Sequence, residues 1–139
     1  HDHPCRAAEL EAFYAEAQDI NGSEALDEHM RVFMVPGMVH CFGGPGAWAA
    51  DYYAAIIDWV ENDKKPERIL GEHPGEFTFL EAFSNAGGTN WHEGVMALGA
   101  EIKPDRKQFS RPLCPYPAYA RYDGKGDIND AASFDCVVD

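Results

Sequence analysis

An all-apolar run, Val32-Phe33-Met34-Val35, stops abruptly at Pro36-Gly37 and opens into Met38-Val39-His40-Cys41-Phe42-Gly43-Gly44-Pro45-Gly46. Consecutive apolar residues without alternation suit a strand buried on both faces, as in a parallel sheet covered on each side. Proline cannot donate to a ladder, and Pro-Gly favours a turn, so the strand ends there and a loop begins. A lone histidine on that loop is free of the sheet while the strand fixes its position. An α/β enzyme holds a catalytic imidazole in this way. Two readings are open at this point: a catalytic His40, or a loop histidine satisfied by its neighbours.

The flanking sequence supplies elements to pack around that run. Pro4 can open a helix, and Leu10, Phe13, Tyr14 and Ala17 recur on one helical stripe. Asn21-Gly22 stops it, and Ser23 to His29 forms a short second helix with Ser23 as its N-cap. Trp48, Tyr52, Ile56 and Val60 fall four apart, widened by Tyr53 and Ile57, with Asp51, Asp58 and Glu61 opposite. This amphipathic helix is expected to pack back on the sheet, with its aromatics in the core. Arg68 to Leu70 reads as a short strand end. Phe77, Phe79 and Leu80 suggest a strand or hairpin arm, Ala86-Gly87-Gly88 a turn, and Val95 to Ile102 a strand. Trp91-His92-Glu93 is ambiguous. The last 30 residues are rich in proline and glycine, with Tyr119 to Tyr122 as an extended piece.

Three segments in order carry a resemblance. They are Arg31 to Cys41; Asp58-Trp59-Val60-Glu61-Asn62 with Lys65-Pro66-Glu67-Arg68-Ile69; and Arg111 to Pro117, followed by Ala120-Arg121-Tyr122, Gly126 to Ala131, Ser133-Phe134 and Cys136. Together they resemble the tannase and feruloyl esterase family over about residues 31 to 136, and motifs of this length in order are far more specific than one short pattern. The resemblance implies an α/β-hydrolase fold, of which this chain is the C-terminal portion: a parallel-sheet strand, the catalytic His loop, a packing helix and an irregular C-terminal segment. Residues 1–139 are accordingly read as the C-terminal part of the catalytic domain. Two features agree. The chain of 139 residues begins with His1 rather than Met, and an α/β-hydrolase needs roughly twice that length or more. A processed mature chain is the alternative. The sequence departs from the family at Val39 and Phe42, where glycine is usual, and the segment from about Gly71 to Gln108 matches no family motif and is longer than expected.

The resemblance also assigns chemistry. Ester hydrolysis by a serine triad needs a nucleophile, a histidine that takes and returns its proton, and a carboxylate that orients the imidazole. His40 resembles the family's base. The helix register places the family's acid at His3, and a one-residue shift places it at Asp2, the residue taken here as the acid. None of the four serines, Ser23, Ser84, Ser110 and Ser133, lies in a G-x-S-x-G elbow. In the family the serine follows a cysteine well upstream, and that cysteine pairs with the one after the histidine. Cys41 is therefore expected to bond a partner outside this chain, and Cys114 and Cys136 to bond one another. Such a disulfide implies an oxidising compartment, so a secreted or periplasmic protein is expected. The family also carries calcium in a lid that lies upstream, so no cofactor is expected here.

The other signals bound the remaining classes. A net charge of −13 argues against nucleic acid and anionic membrane surfaces. No apolar stretch approaches about 18 residues, the length of a membrane span. The four cysteines show no C-x-x-C spacing, which disfavours structural zinc. His1 and His3 around Asp2 read as a chain start rather than a metal site. Asp123, Asp127, Asn129 and Asp130 do not follow the order of an EF-hand loop and read as turns. The expected partners are a small aromatic ester and the N-terminal part of the same protein. A second function class is a small secreted, disulfide-stabilised module that binds and does not catalyse. Its short length and lack of a nucleophilic serine favour it, and the His40 loop does not.

Overall fold

The computed structural model describes residues 6–76, 91–102 and 107–139. It opens with a helical pair, α1 (Ala7–Asn21) and α2 (Ser23–Asp27), separated by Gly22 at φ 80°. Gly22 ends α1 as expected, and Gly22 rather than Ser23 caps α2. Tyr14 is the buried residue of the α1 stripe and meets the ring of Tyr116 edge-on at 6.1 Å. Leu10 and Phe13 stay exposed.

Among the described residues, the strand expected at Arg31 to Val35 joins no parallel sheet. Phe33 makes one antiparallel bridge with Pro115, supported by the Tyr116 N–H donating to the Val32 carbonyl at 2.7 Å. A parallel ladder needs a neighbouring strand of like direction, and the described strands pair otherwise. Strand β1 (Ile69–His73) runs antiparallel to β2 (Phe109–Leu113), with Gly71 opposite Arg111. Strand β3 (Tyr119–Tyr122) runs antiparallel to β4 (Phe134–Val137). The Cys114–Cys136 disulfide ties the end of β2 to β4, as expected. Arg111 lies over the rings of Phe109 and Phe134, at 5.0 and 4.3 Å, and adds a cation–π contact between the two hairpins.

Helix α3 (Tyr52–Asn62) forms where the four-residue spacing placed it. Asp51 caps it, accepting from the Ala54 N–H at 2.9 Å, and Asp63 closes it in the left-handed region. Its apolar stripe does not pack on a sheet. Tyr53 is 81% exposed and Val60 76%, so in this chain only Trp48, ahead of the helix, enters the core. A second correction concerns Val95 to Ile102, which are helical, not extended, within α4 (Trp91–Ile102). Val95, Leu98 and Gly99 are its buried face, a helical spacing. Gly99 lies against the Pro74 carbonyl so closely that a β-carbon would collide with it, so glycine lets α4 cross the end of β1. The expected features at Pro4, at Phe77, Phe79 and Leu80, and at Ala86-Gly87-Gly88 lie outside the described residues.

A charged cluster joins the first two family segments. The Arg31 guanidinium, 8% exposed, forks onto Asp27 with two bonds of 2.9 Å and donates to the Pro66 carbonyl at 2.7 Å. Lys65 donates to Asp27 and Glu28 at 2.8 and 2.6 Å. A bidentate guanidinium pair of this kind is stronger than an exposed single contact. The bonds from Arg31 and then Lys65 hold the Asp27 carboxyl down at about 2, against its ordinary 3.8.

Two predictions follow the chain's own staples. Opening the Cys114–Cys136 link, which closes 22 residues, with a Cys114→Ala/Cys136→Ala double variant should cost about 3 kcal/mol in denaturant unfolding; an unchanged midpoint contradicts it. For Asp27, whose pKa is lower in the folded state, the stabilisation is complete above the unfolded value near 3.8 and is lost as pH falls through about 2. Asp27→Asn should therefore lower stability by about 1 kcal/mol at neutral pH, with the gap to wild type closing between pH 4 and 2. A gap that instead widens on acidification contradicts the assignment.

Candidate active site: the His40 loop

The loop from Pro36 to Gly46 is folded on itself by backbone bonds. Met38 N–H donates to the Val35 carbonyl at 3.3 Å, Val39 N–H to Gly43 at 3.1 Å, and Gly46 N–H to Gly37 at 3.2 Å. Gly44, at φ 92°, lies against the Gly37 carbonyl, where a β-carbon would not fit. The Gly43-Gly44 pair thus lets the loop return on itself and leaves His40 and Cys41 exposed at its tip. Phe42 N–H donates to the His40 carbonyl at 3.0 Å, and Cys41 takes a left-handed conformation at φ 71°. A β-substituted residue rarely adopts that region, so the turn that presents His40 is held by its surroundings.

Those surroundings are hydrophobic. Trp48, Ala49 and Val95 form a buried cluster on which Val35, Met38, Phe42 and Met96 pack. Phe42 meets Trp48 at 5.9 Å and Trp91 at 6.2 Å between ring centres. Just past the loop, Ala49 and Glu72 exchange two backbone hydrogen bonds of 3.0 and 2.7 Å, clamping the chain to β1. The rigid part of the loop is therefore its base, and the imidazole stands clear of it.

Two cavities flank the loop and share Phe42 and Trp48 as a wall. One, of about 680 Å³, is lined by His40, Val39, Pro45, His73 and Phe109. The other, of about 590 Å³, is lined by Cys41, Tyr52, Tyr53, Trp91 and His92. Spaces of this size with aromatic walls and few polar groups are typical of small-molecule sites.

The sequence placed His40 and Cys41 side by side, and the His40 Nδ1 lies 3.1 Å from the Cys41 Sγ. Asp2 and His3, the candidates for the acid, and Cys5 lie outside the described residues. Cys41 is exposed and free among the described cysteines. The described serines are occupied elsewhere. Ser110 accepts from the Ala131 N–H at 2.9 Å, Ser133 is buried, and Ser23 opens α2. Asp123, Asp127 and Asp130 accept from the backbone of Lys125, Asn129 and Ala132, so they build turns. Among the described residues, no three His, Cys, Asp or Glu side chains are grouped to hold a metal.

The sequence undervalued one group. His92, in the first turn of α4, brings Nε2 to 2.8 Å from Glu72 Oε2. The contact is a close approach and not an aligned hydrogen bond, and Nε2 is sealed from solvent. The signal was Trp91-His92-Glu93, whose helical context emerges only with Val95, Leu98 and Gly99.

Comparison with known proteins extends the local picture. A mono(2-hydroxyethyl) terephthalate hydrolase of Piscinibacter sakaiensis is 40% identical over 108 residues, covering 78% of this chain and 14% of that protein. A probable feruloyl esterase of Arthroderma benhamiae is 31% identical over 122 residues, covering 86% of this chain and 18% of that protein. The crystal structure of an esterase from Aspergillus oryzae superposes with a TM-score of 0.62 at 26% identity, covering 94% of this chain and 24% of that structure. The chain thus spans less than a quarter of the length of each of these proteins. The sequence pattern described as tannase and feruloyl esterase matches residues 2–137, from before α1 through β4. With that match across nearly its whole length, the chain belongs to the tannase and feruloyl esterase family.

Proposed function

We propose that the protein is a carboxylic ester hydrolase acting on esters of aromatic acids, and that residues 1–139 form the C-terminal part of its catalytic domain. In this reading His40 is the general base. It takes the proton of a serine as that serine attacks the ester carbonyl, and returns it to the leaving alcohol. Asp2 is the carboxylate that orients the imidazole and stabilises its charge. The serine, the cysteine beside it and the lid belong to the preceding part of the protein, and that cysteine bonds Cys41. The exposed Ile56 and Val60 of α3, outside both cavities, then pack against the same part, since exposed apolar surface of this kind marks a contact.

One observation carries the proposal. An exposed imidazole stands on a loop held by its own backbone bonds, between two aromatic-walled cavities, in a chain of this family. The family match across residues 2–137 includes that loop and runs against a non-catalytic binding module. The Cys114–Cys136 disulfide supports a secreted or periplasmic location. No helix among the described residues is long and apolar enough to cross a membrane.

In the full-length protein, His40→Ala should lower kcat on an aromatic ester by roughly 10⁴-fold and leave KM nearly unchanged, because a proton acceptor is removed and the walls of the site remain. His29→Ala, at the exposed end of α2, serves as control and should retain wild-type rates. Retention of more than about a tenth of the rate by His40→Ala rules out this base.

A further inference from the structure

The cavity beside Cys41 contains a polar group that the triad does not use. His92 and Trp91 reach it from the first turn of α4. Rings line the rest: Phe42 and Trp48 from the His40 loop and its base, Tyr52 and Tyr53 from the start of α3. Phe42 meets Trp91 edge-on at 6.2 Å. The loop and the helix therefore build one wall together.

Two other polar groups around this space are already engaged. Asp51 caps α3 through Ala54, and the Tyr52 hydroxyl donates to the Trp48 carbonyl at 3.2 Å. His92 differs. Its Nε2 faces the Glu72 carboxylate at 2.8 Å, and two bare lone pairs at that distance would repel, so in the neutral ring the proton sits on Nε2. Glu72 is itself fixed, because its backbone is clamped to Ala49. The tautomer leaves Nδ1 as a lone pair. No bond to Nδ1 is formed among the described residues, and 19% of the side chain remains open although Nε2 is sealed.

We propose that His92, held in tautomer and position by Glu72, is a specificity-determining residue that accepts a hydrogen bond from a ring hydroxyl of the aromatic acid, while Phe42, Trp48 and Trp91 bound the ring itself. This rests on the ester-hydrolase reading above. Rings supply affinity with little discrimination between substituted and unsubstituted substrates. A buried acceptor discriminates more strongly, because an analogue lacking the hydroxyl leaves the imidazole nitrogen unpaired. His92 takes no part in bond breaking, so its effect falls on selection of substrate and not on the chemical step.

The test compares kcat/KM of the full-length protein for methyl cinnamate and for its 3-hydroxy and 4-hydroxy analogues. Wild type should prefer one hydroxylated ester by about tenfold or more. His92→Leu should bring that preference close to unity, chiefly by raising KM for the hydroxylated ester. His92→Gln, whose amide oxygen can accept, should recover part of the preference. A wild-type enzyme without preference, or a His92→Leu enzyme that cleaves both esters and keeps the preference, overturns the role of His92 and leaves the hydrolase reading standing. If wild type cleaves none of the three esters and no other aromatic ester, the hydrolase reading falls and the role of His92 falls with it.

Discussion

Two backbone hydrogen bonds between Ala49 and Glu72 decide where everything else sits. They fasten the chain just beyond the His40 loop to β1, and β1 is already paired along its length with β2. With that point fixed, Trp48 is driven into the cluster with Val95, and the loop ahead of it must turn back over a short span. Glycine and proline supply the turns, so His40 emerges at the tip of a loop whose base cannot drift. The same clamp holds Glu72 where its side chain meets His92. One pair of main-chain contacts thus positions both the proposed base and the proposed selector of substrate.

A second set of constraints joins segments far apart in sequence. Arg31, at the start of the apolar run, reaches Asp27 behind it and Pro66 beyond α3. Lys65 returns to Asp27 and Glu28 from the other side. The last hairpin is held by the Cys114–Cys136 link and by Arg111 between two rings. These ties are polar or covalent because little apolar surface is buried within the chain. The large exposed side chains Ile20, Ile56 and Val60 carry the complementary message. In the proposed reading their burial comes from contact with the preceding part of the protein.

Much of this was legible in the sequence, and the failures share causes. Helix periodicity located α1 and α3, because Leu10 to Ala17 and Trp48 to Val60 repeat at helical spacing over several turns. It could not say whether α3 would be covered, since burial depends on what lies opposite. The run Val32 to Val35 correctly signalled a segment that sits against others. It did not specify its neighbour, and pairing is a long-range property; among the described residues the run makes a single antiparallel bridge, to Pro115. β1 extended past Leu70 because Gly71-Glu72-His73 pairs through its backbone without apolar alternation. Helix α4 was missed because Gly94 and Gly99 dilute its pattern and Val95 to Ile102 is apolar enough to read as a strand; the buried face Val95, Leu98 and Gly99 is helical in retrospect. His40, Cys41 and the Cys114–Cys136 pair were visible because motif order carries them. The role assigned to His92 was not, because it depends on contact with Glu72, 20 residues away.

The central claim is that the His40 loop is brought against a serine nucleophile by a bond through Cys41. Peptide mapping of the full-length protein without reductant, after labelling the reactive serine with a fluorophosphonate, tests it most directly. The account predicts one disulfide-linked pair: the peptide holding Cys41, and a peptide from outside residues 1–139 that carries the labelled serine next to its cysteine. A Cys41 found bonded to Cys5, or found as a free thiol while the serine is labelled, contradicts it.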